Sequence, residues 1–98
     1  MPRDLIKIQF LDDVPPDEIE AALILAVFAT ESLYGAPRLR LDGGHNFDRE
    51  RLLLTVDATA AVGQTLSRLF LGFISRELDE ECYCVRHVAQ AESSPNAA

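Results

Sequence analysis

Pro37-Arg38-Leu39-Arg40-Leu41-Asp42-Gly43-Gly44-His45-Asn46-Phe47-Asp48-Arg49-Glu50-Arg51-Leu52-Leu53-Leu54-Thr55-Val56-Asp57 is the stretch on which the fold turns. Its first part alternates. Leu39 and Leu41 fall on one side of an extended chain, and Arg38 and Arg40 on the other, which predicts a short strand over Arg38–Asp42. Gly43-Gly44-His45-Asn46 supplies turn chemistry, with a loop reaching Arg49. Arg51–Asp57 alternates again, with Leu52, Leu54 and Val56 inward. The stretch therefore predicts a hairpin in the middle of the chain.

Outward from the hairpin, each side carries a helix and then a strand. Leu5–Leu11 places Ile6, Ile8 and Phe10 on one face and Lys7 and Gln9 on the other, the pattern of a half-buried strand. Asp12-Asp13-Val14-Pro15-Pro16-Asp17 is a turn into a helix, with proline near the first helical position and acids in the first turn. That helix runs to about Leu33, where Tyr34-Gly35-Ala36-Pro37 stops it. A second helix follows the hairpin, capped by Asp57 or Thr59 and running to about Leu78. Asp79-Glu80-Glu81 is a charged turn, and Tyr83–Val88 is the last strand. The order strand, helix, strand, strand, helix, strand over Leu5–Val88 resembles the split βαβ, or ferredoxin-like, sandwich. This class of α+β fold has a four-stranded antiparallel sheet with two helices on one face. Residues 1–88 form one such domain in this reading, and 89–98, rich in small and polar residues, read as a disordered tail. The fold class hosts enzymes, metal carriers, RNA binders and dimerisation modules, so it does not itself name a function.

The chain has 98 residues, 48% of them hydrophobic, and a formal net charge of −7. An acidic balance argues against a nucleic-acid partner, because that affinity comes from cations neutralising phosphates. The longest uncharged apolar run, Ala21–Ala29, is too short to span a bilayer, and no basic stretch precedes an apolar one at the start, so neither membrane insertion nor export is expected. Cys82 and Cys84, one residue apart, are poorly placed to bridge each other, and free thiols suggest a cytoplasmic protein.

The helix faces carry the one unusual signal. In the first helix, Ile19, Ala22, Leu23, Ala26, Val27, Thr30 and Leu33 line a core stripe at the 3.6-residue period. The opposite side should be polar, yet it holds Ile24, Leu25 and Phe28. In the second, Val62, Leu66, Leu69, Phe70 and Phe73 form the core stripe, leaving Leu71, Ile74 and Leu78 on the far side or flank. Part of this surplus is explained by helix-to-helix contact. The remainder marks an interface on a small domain. The expected interface residues are Ile24, Leu25, Phe28, Leu71, Ile74 and Leu78, and the expected partner is a second copy or another protein. Gly63 and Gly72, inside the second helix, fit close approach of a neighbour.

The other sheet face is expected to show Leu5, Lys7, Gln9, Leu11, Arg38, Arg40, Arg51, Leu53, Thr55, Cys82, Cys84 and Arg86. Five of the nine cations fall there, so Lys7, Arg38, Arg40 and Arg86 are candidates for holding a small anion. A solvated polar face accounts for the same pattern. The face has no aromatics on which RNA bases could stack. In Cys82-x-Cys84-x-x-His87, strand parity sends His87 away from both thiols, so no metal is expected there. Asp42, His45, Asp48 and Glu50 crowd the hairpin, but their spacing matches no calcium loop. The small-residue start of the second helix lacks the Gly-Lys-Ser/Thr of a phosphate loop. Neither His45 nor His87 has an evident nucleophile beside it, so no catalytic residue and no cofactor is expected. The expected function is a non-catalytic interaction module that self-associates, as a dimer, through its helical layer. The rivals are an anion-sensing regulatory domain and an acidic inhibitor of a basic partner.

Overall fold

The computed structural model describes residues 3–90, and the tail from residue 91 onward lies outside them. The elements are β1 (Arg3–Phe10), α1 (Pro16–Tyr34), α2 (Ala36–Asp42), β2 (His45–Asp48), β3 (Leu53–Asp57), α3 (Ala61–Glu77), a 3-10 turn (Glu80–Cys82) and β4 (Tyr83–Gln90). The architecture is a mixed α+β fold: four antiparallel strands in one open sheet, ordered β2-β3-β1-β4, with three helices.

The expected strand Arg38–Asp42 is helix α2. Two leucines spaced by two satisfy a strand, but they also fit a single helical turn in which one is buried and the other is not. Leu39 is buried and Leu41 is 82% exposed. Gly35, at φ 89°, redirects the chain as α1 ends, and its amide donates to the Glu31 carbonyl. Positive φ is a conformation glycine adopts at little cost. Pro37 then falls at a position in the first turn that a helix tolerates. Arg38 Nε donates to Asp42 Oδ2 at 2.9 Å across one turn, and Gly43 N closes the helix onto Leu39 O. Seven residues are too few to be helical by propensity alone, so the buried Leu39 anchors the element.

The second strand therefore slides to His45–Asp48. His45 pairs with Val56 and Phe47 with Leu54. Asp48 Oδ1 accepts the amides of Glu50 and Arg51, which fixes the turn. Leu52 ends that turn at φ 53°, so β3 begins at Leu53, two residues later than the expected Arg51. A leucine held there costs about 1–2 kcal/mol of backbone strain. Burial of its side chain, 7% exposed, offsets this.

Leu54 and Val56 are fully buried, and Leu54 lies opposite Ile8 in the antiparallel pairing of β1 and β3. With Phe10 they form the floor of the core, on which α1 sets Ile19, Ala22 and Ala26 and α3 sets Val62, Leu66, Phe70 and Ile74. Phe10 and Phe70 meet edge to face at 6.2 Å between ring centroids. Thr30 is buried too, but its hydroxyl donates to Ala26 O at 2.7 Å, so it enters the core paired.

Three helix assignments change. Ile74, expected on the far side, is fully buried. Leu33, expected in the core, is 68% exposed near the end of α1. Neither Asp57 nor Thr59 caps α3, which starts at Ala61 without a side-chain cap. Thr59 Oγ1 accepts the Asp4 amide instead, while Asp57 Oδ1 accepts the Thr59 amide. Gly63 shows why the helix begins so tightly: a Cβ there would lie 1.8 Å from the Asp57 carbonyl oxygen. Finally, β4 continues to Gln90, two residues past the expected Val88, so residues 89 and 90, expected in the tail, belong to the strand.

Candidate interaction surface

α1 places Ile24, Leu25 and Phe28 on one outward stripe, at 53%, 54% and 61% exposure. Ala21 extends the stripe by a turn toward the helix start. The spacing of three, one and three residues keeps these side chains on the side opposite the buried Ile19, Ala22, Ala26 and Thr30. Beside the stripe, a groove of ≈ 410 Å³ runs between α1 and α3. Its floor is Ala22, Leu25 and Phe73, and Glu18, Arg76 and Glu77 stand on its rim. The outer side of α3 adds Gly72, where a Cβ would meet nothing within 4 Å.

The other three expected interface residues lie elsewhere. Ile74 belongs to the core. Leu78 is half-buried against it. Leu71 sits on the opposite flank of α3, where it borders a smaller cavity of ≈ 320 Å³ with Ile6 and His87. The surface that remains is carried by α1, with the groove and Gly72 beside it. The groove is the part that the sequence did not announce: Phe73 reads as core, and it is half-buried against the core while also lining the groove with Leu25.

The four candidate anion-binding residues are not brought together. Lys7 and Arg86 are cross-strand partners on the open face of the sheet, flanked by the pairs Gln9–Cys84 and Leu5–Val88. Arg38 and Arg40 leave that face with α2, and Arg38 is already engaged by Asp42. Arg51 stands in the turn before Leu53. The sheet face therefore holds one adjacent cation pair.

No group of three or more His, Cys, Asp or Glu side chains is placed to hold a metal among the described residues. Cys82 stands in the 3-10 turn and Cys84 in β4, where it is exposed, and the two thiols are free. Cys84 lies opposite Gln9, on the open face, and His87 lies opposite Ile6, on the helical face. At the hairpin, His45 Nδ1 lies 3.2 Å from Gly43 O, Asp42 is held by Arg38, and Asp48 is used by the turn. Asp4, Ser67 and His87 border the same small cavity, but the Ser67 hydroxyl donates to Gln64 O and His87 Nε2 is 4.0 Å from Asp4. They do not form a hydrogen-bonded relay.

Charge is distributed unevenly. The turn after β1 carries Asp12 and Asp13, and the turn before β4 carries Asp79, Glu80 and Glu81. Leu11 N donates to Cys82 O, so these turns meet. The β2–β3 turn is at the same end, tied by Phe10 N to Leu52 O. So are the start of α1, with Asp17, Glu18 and Glu20, and the end of α3, with Glu77. Arg49 clasps the start of α1, through Asp17 at 2.9 Å and through Glu20. These hydrogen bonds, Asp17 first, push its guanidinium pKa further up. Among the described residues, the other cations at this end are Arg51 and Arg76. At the opposite end the charges balance: Arg38 is paired with Asp42, Arg40 lies beside Glu31, and Arg68 borders the small cavity with Asp4 and His87. There, hydrogen bonding by Thr59 holds the Asp57 carboxyl below its usual range, against the effect of burial and with help from Arg3.

No single helix among the described residues is long and apolar enough to cross a membrane. No protein-family model matches the chain, and no curated protein or solved structure matches it either.

Proposed function

We propose that this chain is a non-catalytic protein-interaction module that self-associates through its helical layer. The observation that carries this is the exposure of Ile24, Leu25 and Phe28 together on one stripe of α1. Exposed apolar side chains are ordinary when scattered, but a contiguous stripe beside an apolar groove is what a partner surface requires. Phe28 is the anchor in this proposal, because aromatic residues near an interface centre dominate binding energy. The architecture is a ferredoxin-like sandwich in which α2 is inserted between the first helix and the second strand. The sheet order β2-β3-β1-β4 supports that assignment. The cytoplasm is the compartment that fits two free thiols.

Mass by light scattering tests the function. Wild type should run as a dimer, and Phe28→Glu as a monomer with its circular dichroism unchanged. Leu53→Glu on the open sheet face should remain dimeric. A dimer split by Leu53→Glu and not by Phe28→Glu would place the contact on the sheet instead. The anion-sensing alternative has less support, since only Lys7 and Arg86 adjoin.

A further inference from the structure

We propose that the hollow between α3 and the edge strand β4 is a ligand site, separate from the exposed stripe of α1, and that it takes a free α-amino acid with an aliphatic side chain.

The hollow opens over a residue that should be covered. Ile6, Ile8 and Phe10 share the helical face of β1, an inner strand of the sheet. Ile8 and Phe10 are 0% and 2% exposed, but Ile6 is only half-buried. Two features of the sequence leave it so. Opposite Ile6 stands His87 of β4, and on that face of the strand both Val85 and His87 are exposed, so α3 stops short of the edge. On the flank of α3 that meets Ile6, the residue is Ser67, too small to fill the space that Leu66 and Phe70 fill over the rest of the floor. Its hydroxyl is turned back onto Gln64 O at 2.9 Å. A cavity of ≈ 320 Å³ results, with Leu71 as its far wall. Small-molecule sites occupy about 300–1,000 Å³, so the fitting ligand is a small one.

The lining sets the chemistry of that ligand. Ile6 and Leu71 supply an apolar floor and wall. Leu71 lies outside the core row of α3, and bordering this hollow gives it a role. One carboxylate and one guanidinium stand at the rim, Asp4 on β1 and Arg68 on α3. They are not spent on each other: among the described residues no ion pair joins them, and Asp4 Oδ1 is 4.0 Å from His87 Nε2, longer than a hydrogen bond. A ligand with only a negative charge would face Asp4, and one with only a positive charge would face Arg68. A molecule with both charges on neighbouring atoms and an apolar branch satisfies the whole lining. Its ammonium donates to Asp4, its carboxylate accepts from Arg68, and its side chain lies on Ile6 and Leu71. An α-amino acid is the simplest molecule of this kind, and it adds no net charge to the hollow.

Titration of the isotope-labelled full chain with L-leucine, followed through amide chemical shifts, tests the site. The amides of Ile6, Leu71 and His87 should shift and saturate at millimolar ligand. Isocaproate lacks the ammonium and isoamylamine lacks the carboxylate. Each should bind about tenfold more weakly, the size of one hydrogen bond to a charged group. Asp4→Asn should erase the preference for leucine over isocaproate, and Arg68→Gln the preference over isoamylamine, both with circular dichroism unchanged. Arg76→Gln, on the rim of the groove between α1 and α3, should bind leucine as wild type does. The absence of saturable shifts at these amides, equal binding of the three compounds, or loss of leucine binding in Arg76→Gln and not in Arg68→Gln would each overturn the proposal.

Discussion

α1 and α3 cover the same sheet, yet their outer sides differ. α3 shows Gln64, Arg68, Ser75 and Arg76 to solvent and buries Leu66, Phe70 and Ile74 completely. α1 also buries its inner stripe completely at Ile19 and Ala26, yet shows Ile24, Leu25 and Phe28 outside. Because α3 covers its half of the sheet with a polar exterior, the fold does not require an apolar one. The surplus on α1 therefore answers to something other than folding. The inner stripes also differ: α1 packs small residues, Ala22, Ala26 and Thr30, where α3 packs Leu66 and Phe70. The large side chains Ile24, Leu25 and Phe28 of α1 are the ones left outside.

Substitutions can break or sharpen this contrast. Val56→Asp, in the floor beneath the core, should abolish cooperative unfolding by placing an unpaired charge where no water reaches. Circular dichroism on heating would show it. Phenylalanine truncation compares the two exteriors directly. Phe70→Ala should cost about 3–5 kcal/mol in denaturant unfolding. Phe28→Ala should change the stability of the monomer by less than about 0.5 kcal/mol. A large loss at Phe28 would mean that it packs within its own protomer, and the contrast would disappear.

Two glycines of α3 provide a finer test. Gly63→Ala should destabilise by about 1–3 kcal/mol, because its Cβ would overlap the Asp57 carbonyl. Gly72→Ala should stabilise the isolated protomer by about 0.5–1 kcal/mol, since nothing stands within 4 Å and helical alanine is favoured. If Gly72→Ala weakens dimerisation as well, the partner approaches α3 closely there. Asp57, beside Gly63, contributes in a pH-dependent way. Its carboxyl is held below the ordinary value of 3.8, so its contribution is fully present above that pH and is lost as pH falls through the folded-state value. Asp57→Asn should flatten the acid limb of a stability-versus-pH curve and leave the shape above pH 5 to 8 as it was, with only a small offset.

The long periodic segments were legible in the sequence: β1, α1, β3, α3, the start of β4 and the inward set Ile8, Phe10, Leu54 and Val56. Each has enough residues to separate a period of 2 from one of 3.6. Arg38–Asp42 does not, because two leucines are compatible with either, and Pro37 and Gly35 decided for the helix. β2 was invisible because His45-Asn46-Phe47-Asp48 has one strongly apolar side chain. The exposed stripe of α1 could be read from spacing alone. Ile74 was misassigned: the core row of α3 steps by four residues through Val62, Leu66, Phe70 and Ile74, and Phe73 lies beside it, bordering the groove. The arginine cluster failed with the strand that was to carry it.

β4 is an outer strand of the sheet, eight residues long and bonded on one side, to β1. Its side chains Tyr83, Val85 and Val88 favour extended pairing, and it has no proline or lysine to discourage a stranger. An edge of this kind is a template for misassembly whenever the chain opens. Destabilised variants should therefore aggregate through this edge, and a charge placed at Val85 should act as a gatekeeper that relieves it, checked by the soluble fraction on expression.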